Sequence, residues 1–274
     1  MAAPIARKGA PAKAAPYVKK AAPAKAAPFA KKPASAKAAP FAKKPAPAKT
    51  ALPAKKGGPA TAAPYIKKKG GSTKDLRTLS ADFLAAVTGP GEFPSGPPEI
   101  AIVGRSNVGK SSLVNALANR HSLARTSKTP GRTQAIILFD LLLSSGDTIR
   151  MCDLPGFGHA KVAKTLRESF SPMIQKFLEE SKELRGVILL QDCRRDVDED
   201  AIGFAEWLRE INRPVLIVAT KMDELPKTKR GGVIARLQRD FDLEHPPIAT
   251  SVRESLGIAD LLHNMRRLAR QTQA

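Results

Sequence analysis

Eight consecutive residues, Gly104-Arg105-Ser106-Asn107-Val108-Gly109-Lys110-Ser111, match the spacing GxxxxGKS. Each residue type has a task at a polyphosphate. The glycines let backbone amides come close to phosphate oxygens, the Lys110 ammonium reaches the β and γ groups, and the Ser111 hydroxyl ligates Mg2+. An apolar stretch at 99–103 runs straight into this loop and a helix-forming stretch, 112–120, follows it, so the positive end of a helix faces the same anion. Further on, Asp153-Leu154-Pro155-Gly156 closes another apolar run. Alone, Asp before Pro-Gly is an ordinary turn. Behind a phosphate loop, Asp153 reads as a carboxylate that holds Mg2+ directly or through water, and Gly156 as an amide that meets a γ-phosphate. Between the two stations lies a polar loop, 126–133, whose Thr133 hydroxyl is expected to close on Mg2+, with Gly131, Arg132, Gln134 and Ala135 beside the nucleotide. The expected catalytic set is therefore Lys110, Thr133 and Gly156, and the expected metal set Ser111 and Thr133.

A further station, Thr220-Lys221-Met222-Asp223, follows the apolar run 214–219. Guanine presents two neighbouring N–H donors, and an ionised carboxylate is an acceptor with room for both. Adenine has no such pair, so Asp223 selects guanine. The Lys221 stem packs across the ring and Thr220 ties the loops together. The competing reading, an Asp that caps the next helix, loses to the company of the other stations. Ala249-Thr250-Ser251 ends the last apolar run, where a backbone amide is expected to meet the guanine O6.

These residues need a scaffold that brings several strand ends together. Apolar runs at 99–103, 134–143, 148–152, 187–190, 214–219 and 248–251 read as six strands, and 198–212 and 257–271 as amphipathic helices. The expected architecture is a P-loop GTPase three-layer α/β sandwich: a six-stranded, mostly parallel sheet whose second strand is antiparallel, helices on both faces, and nucleotide at the carboxyl ends of the strands. In that order the first strand separates Cys152 from Cys193, which predicts two free thiols. His121, His245 and His263 have no ligand-like spacing, and no zinc site is expected.

The charge is divided unevenly along the chain. Residues 1–74 hold 18 of the 46 Lys and Arg and none of the 25 Asp and Glu, and so +18 of the formal +21. Twelve prolines lie among those 74 residues, which leaves no window for a helix, and Ala, Pro and Lys bury too little apolar surface to offset ordering. The expected domains are a disordered tail at 1–74, a lead-in at 75–98 and a GTPase domain at 99–274, long enough to bury about 70% of its unfolded surface. A unit recurs in the tail, Ala14-Ala15-Pro16-Tyr17-Val18-Lys19-Lys20, with copies at 26–32, 38–44 and 62–68. A ring followed by two cations suits RNA or another polyanion, through stacking on unpaired bases and neutralisation of phosphates. DNA, an anionic membrane, or a solvated extension that contacts nothing specific are the other readings. The longest apolar stretch, 135–143, is nine residues and contains Asp140, too short for a transmembrane segment. With no secretory pattern in the tail, a cytoplasmic location is expected.

The order GRSNVGKS, PGRTQ, DLPG, TKMD and ATS resembles the translation-factor-related GTPases, in the superfamily of TrmE, Era, EngA, EngB and the septins. Within them it is most similar to the EngB (YihA/YsxC) group, through Thr126-Ser127-Lys128-Thr129-Pro130-Gly131-Arg132-Thr133-Gln134 and Asp153-Leu154-Pro155-Gly156-Phe157-Gly158, over roughly residues 76–272. The resemblance implies a cytoplasmic bacterial or organellar GTPase that uses Mg2+, serves in assembly of the large ribosomal subunit on rRNA, and is linked to normal cell division and septation. His159 stands where that group usually has an aromatic residue, and the basic repeat is outside its core pattern.

The residue after DxxG orients the attacking water in Ras-type enzymes, where it is Gln. Here it is Phe157, which has no hydrogen-bonding group, so slow hydrolysis of GTP to GDP and phosphate is expected without help. Related potassium-dependent GTPases carry Asn at the position of Asn107, which makes K+ a candidate source of that help. His159 is more simply a solvated loop residue. The expected function is a switch that cycles between GTP and GDP on a pre-ribosomal particle. The alternative is a nucleic-acid-binding architectural protein with a vestigial nucleotide site.

Overall fold

A computed structural model describes residues 76–89, 93–121, 123–124, 135–157 and 170–271. The basic tail, the loop holding Gly131, Arg132, Thr133 and Gln134, and the segment holding His159 lie outside them. Chain contacts divide the protein into units 1–54 and 55–274, and every element below belongs to the second. The strands are β1 (Thr78–Val87), β2 (Glu99–Gly104), β3 (Ile136–Leu143), β4 (Thr148–Asp153), β5 (Leu184–Asp192), β6 (Val215–Thr220) and β7 (Ile248–Ala249). The helices are α1 (Lys110–Leu117), α2 (Pro172–Glu180), α3 (Glu199–Glu210), α4 (Lys227–Asp240) and α5 (Ile258–Arg270).

The strands form one sheet in the order β1-β3-β4-β2-β5-β6-β7. β4, β2, β5, β6 and β7 run parallel, while β3 is antiparallel to both β4 and β1. Alternation along each strand sends neighbours to opposite faces. Ala101 and Val103 join a core with Phe177 of α2, Phe204 of α3 and Leu237 of α4, whereas Ile100 and Ile102 join a second core with Leu113 of α1 and Leu261 of α5. Helices on both faces make the three-layer sandwich expected. Cys152 and Cys193 are buried free thiols, with β2 lying between β4 and β5.

The sheet has seven strands, not six. The seventh, β1, lies in the stretch read as a lead-in, and its pattern is masked by two β-bulges. Register slips between Thr78 and Ser80 and between Phe83 and Ala85 leave Leu79 and Leu84 as extra residues, which breaks the period of two. The strand read at 187–190 extends to Leu184–Asp192, through Arg185 and Gln191, whose polarity hides the continuation. The helix read at 198–212 begins one residue later, because Asp198 is its N-cap and accepts from the Ala201 amide at 2.9 Å. It ends before Asn212, which is left-handed at φ 58°.

Candidate functional site

The phosphate loop connects β2 to α1 across the carboxyl edge of the sheet. Gly109 occupies the turn into the helix at φ 104°, a conformation a residue with a Cβ enters only under strain. A Cβ at Gly109 would also stand 3.7 Å from Cε of Lys221. Val108 is buried, so its side chain anchors the loop in the core and only its backbone serves the site. Lys110 is ion-paired with Asp153 at the end of β4, both side chains largely buried. Burial pushes the Asp153 carboxyl up, against the pull of Lys110. The two phosphate stations predicted from sequence are therefore joined directly, with Ser111 in the first turn of α1.

The segment after Asp153 is fastened to the same loop. The Phe157 amide donates to the Gly104 carbonyl at 3.2 Å, and the Phe157 carbonyl accepts from the Ser106 amide at 2.9 Å and the Ser106 hydroxyl at 3.1 Å. Leu154 and Phe157 are buried in the core, so Leu154-Pro155-Gly156 presents backbone, not side chains, to a phosphate. Arg105 turns outward and pairs with Asp198 at 2.5 Å. The same carboxylate thus caps α3 with one oxygen and holds the phosphate loop with the other.

The station expected to read the base follows β6. Thr220 is buried and its hydroxyl donates to the Val108 carbonyl at 2.7 Å, tying the two loops together as expected. Lys221 is left-handed at φ 60°, a strained state for a side-chain residue. Its ammonium donates to the Asn107 carbonyl at 2.5 Å and to Asp192 at 3.0 Å, which lays its stem over the phosphate loop. Met222 is buried in the core. Asp223 accepts from the Ser251 hydroxyl at 2.6 Å, so one carboxylate oxygen is held in place from the loop after the neighbouring strand β7.

At 249–251 the amides of Thr250 and Ser251 are engaged within the fold. The Thr250 amide donates to the Ala219 carbonyl at 2.7 Å and the Ser251 amide to the Leu256 carbonyl at 3.1 Å. Both already have partners in the fold, and the Ser251 hydroxyl in addition orients Asp223. The half-buried Ala249 sits in the short strand β7, and Ala135 is buried just ahead of β3.

Asp192 was not legible in the sequence. It is buried at the end of β5 and receives Nε and Nη2 of Arg194 at 2.9 and 2.7 Å, the Arg194 amide at 3.1 Å and Lys221 at 3.0 Å. Burial alone would raise its carboxyl, but these donors outweigh burial and lower it to about 2. Asp192 stays ionised and fixes the Lys221 ammonium. The only sequence signal is position, an acid at the carboxyl end of a central strand. Among the described residues no cluster of His, Cys, Asp or Glu is arranged to hold a metal unaided. The hydroxyl of Ser111 and the buried carboxylate of Asp153 are nevertheless hard oxygen donors of the kind Mg2+ takes.

The arrangement can hold a polyphosphate on loop amides and Lys110, and present a fixed carboxylate to the edge of a base. A family model described as 50S ribosome-binding GTPase matches residues 99–221. The chain is 43% identical over 169 residues to the "Probable GTP-binding protein EngB" of Anaeromyxobacter sp. (strain Fw109-5), a match that covers 60% of this chain and 78% of that one. It is 45% identical over 166 residues to the protein of the same description in Geobacter sp. (strain M21), covering 60% and 76%. Among solved structures, that of Era in complex with MgGDPNP and nucleotides 1506-1542 of 16S ribosomal RNA aligns with a TM-score of 0.53 at 21% identity, over 65% of this chain and 58% of that one. That likeness is one of fold. No helix among the described residues is long and apolar enough to cross a membrane.

Proposed function

The chain belongs to the EngB family of P-loop GTPases, and from that premise we propose a cytoplasmic switch that binds GTP with Mg2+, hydrolyses it slowly, and acts in assembly of the large ribosomal subunit, with a consequence for cell division and septation. The observation that carries the nucleotide half is the link from base to phosphate. Asp223 is set by Ser251, and Lys221 runs from the same loop onto the Asn107 carbonyl. Guanine at one end and triphosphate at the other would thus be gripped by a single connected structure. The ribosomal half is supported by the family description.

Lys110 holds β and γ oxygens by turning from Asp153 to the phosphates, and the amides of the loop share the charge. Mg2+, held through Ser111 and Asp153 and closed over by Thr133, would neutralise charge developing on the β and γ oxygens. Phe157 is buried and offers no group to a water, so this residue cannot do what the Gln at its position does in Ras-type catalysis. K+ beside Asn107 would supply part of the missing positive charge. Turnover is expected to rise about tenfold or more when Na+ is replaced by K+ at constant ionic strength, measured as phosphate release. Equal rates would exclude the ion.

GTP would order the loop 126–133 and the segment after Gly156 around the γ-phosphate, and hydrolysis would release them. The basic tail would concentrate the protein on rRNA. Sedimentation with large-subunit precursors tests the reading: the protein should co-migrate in the presence of GTP and be released with GDP. Identical profiles in the two nucleotides would refute a switch. Removing residues 1–74 should weaken RNA binding and flatten its salt dependence, by about 0.7 to 0.9 in log–log slope for each phosphate no longer neutralised, with guanine affinity unchanged. An unaltered slope would take the tail out of RNA binding. A vestigial site on an architectural protein would instead show no Mg2+-dependent uptake of GTP.

A further inference from the structure

Arg230 joins the loop that carries Asp223 to the loop that carries Ser251. It stands at the end of the first turn of α4. Its Nε donates to the Leu225 carbonyl at 3.1 Å, in the loop between β6 and α4. Its Nη1 and Nη2 donate to the two carboxylate oxygens of Glu254 at 2.7 and 2.9 Å, in the loop after β7. On local grounds the place is a poor one for a cation. The first turn of α4 holds no acid, Lys227 and Lys229 already stand in it, and Pro226 at the N-cap gives no side-chain cap. Another positive charge there opposes the helix dipole, so helix stability does not account for Arg230, whereas its contacts to the two loops do.

Glu254 in turn reaches the site. Its amide donates to the Ser251 hydroxyl at 3.0 Å, and that hydroxyl donates to Asp223 at 2.6 Å. A hydroxyl has one proton to give. With its oxygen receiving the Glu254 amide, that proton is aimed at Asp223. Leu225 lies on the same loop as Asp223, so the contacts close a ring from Arg230 through Glu254, Ser251 and Asp223, and back along the backbone to Leu225 and Arg230. The Met222 amide on the Thr250 carbonyl, at 3.1 Å, sets the spacing of the two loops but not the direction of the carboxylate.

Given the reading of Asp223 as the acceptor for guanine, on which this rests, we propose that Arg230 is a positioning residue for base recognition, acting through Glu254 and Ser251 on Asp223. A guanidinium suits the task, because its planar fork takes both oxygens of one carboxylate and so fixes the orientation of Glu254, which the point charge of an ammonium does not. The Glu254 side chain is 39% exposed and that of Arg230 17%. Ion pairs at such a surface add little to folding. Loss of Arg230 therefore leaves the domain folded and lets the Asp223 carboxylate turn.

Inosine triphosphate is the probe, because its base keeps the N1 hydrogen of guanine and lacks the 2-amino group. The preference for GTP over inosine triphosphate thus measures how well Asp223 faces both donors. In calorimetry on the full-length protein, Arg230→Met should weaken GTP binding about tenfold and narrow that preference about threefold. Its Tm should stay within about 2 °C of the parent. In a Glu254→Gln background Arg230→Met should add little, since both residues act through one chain of contacts. Arg230→Lys should recover part of the preference, and Arg239→Met, which removes an exposed cation of the same helix, should leave it unchanged. A parent that binds the two nucleotides equally would refute the reading of Asp223 itself. A parent that discriminates, with an Arg230→Met variant that discriminates as well, would leave that reading standing and overturn the role of Arg230, whatever the effect on Tm.

Discussion

Asp223→Asn is expected to lower GTP affinity by about 10² to 10⁴ and to make xanthosine triphosphate the better ligand. On the proposed reading the carboxylate would accept two N–H groups of guanine, and hydrogen bonds to a charged group contribute about 1.5–3 kcal/mol each. The carboxamide keeps one acceptor and turns a donor toward the N2 amino group, where it meets another donor. Xanthine carries a carbonyl at that position and so accepts what the amide offers. The Ser251 hydroxyl at 2.6 Å still orients the remaining oxygen, so the substituted residue keeps its place in the loop. Titration calorimetry with the guanine, xanthine and adenine triphosphates measures the change. A variant that binds GTP as the parent does would remove the basis for guanine selection by this residue.

The second large effect concerns stability. Arg213, between α3 and β6, is only 7% exposed. Its guanidinium donates to four backbone carbonyls, those of Leu178, Glu179, Ser181 and Leu184, at 2.8–3.1 Å. The first two are carbonyls of the last turn of α2, which the helix itself leaves without donors, and the charge sits at the negative end of the helix dipole. Among the described residues no carboxylate shares the work, and burial pulls the Arg213 pKa down, helped by the nearby Arg185. Arg213→Met keeps the volume but strands four acceptors, and relaxation can rescue only some of them. A loss of about 3–5 kcal/mol follows, or about 10 °C in Tm for a domain of this size. Arg213→Lys should recover only part of it, because an ammonium lacks the planar fork. Thermal melts read the result, and a fall below about 2 °C would show that the carbonyls find other partners. Guanine affinity below the transition should not change, since Arg213 is remote from the phosphate loop.

The phosphate loop was legible because its function is a local backbone trajectory: glycine spacing, a lysine and a hydroxyl, with a strand before and a helix after. The role proposed for Asp223 is read from sequence for a related reason, since it needs one carboxylate at one strand end. Other contributions are pairings across long stretches of sequence, and no spacing rule announces them. Asp198 reaches Arg105 across 93 positions and Asp192 fixes Lys221 across 29. Ser106 holds the Phe157 carbonyl across 51. The Thr250 and Ser251 amides donate to the Ala219 and Leu256 carbonyls, and backbone partners of that kind are invisible in side-chain chemistry.

Binary patterning of apolar runs sufficed for the sandwich, the parallel core of the sheet and the separation of the two thiols, because burial on both faces leaves continuous apolar stretches in the chain. The seventh strand escaped that logic, since two bulges put leucines out of phase. Residue types and their order determined that a triphosphate and a guanine are the chemistry on offer. The folded chain alone decided which acids stay charged and which amides are already engaged, because desolvation and hydrogen-bond partnership depend on neighbours that only packing brings together.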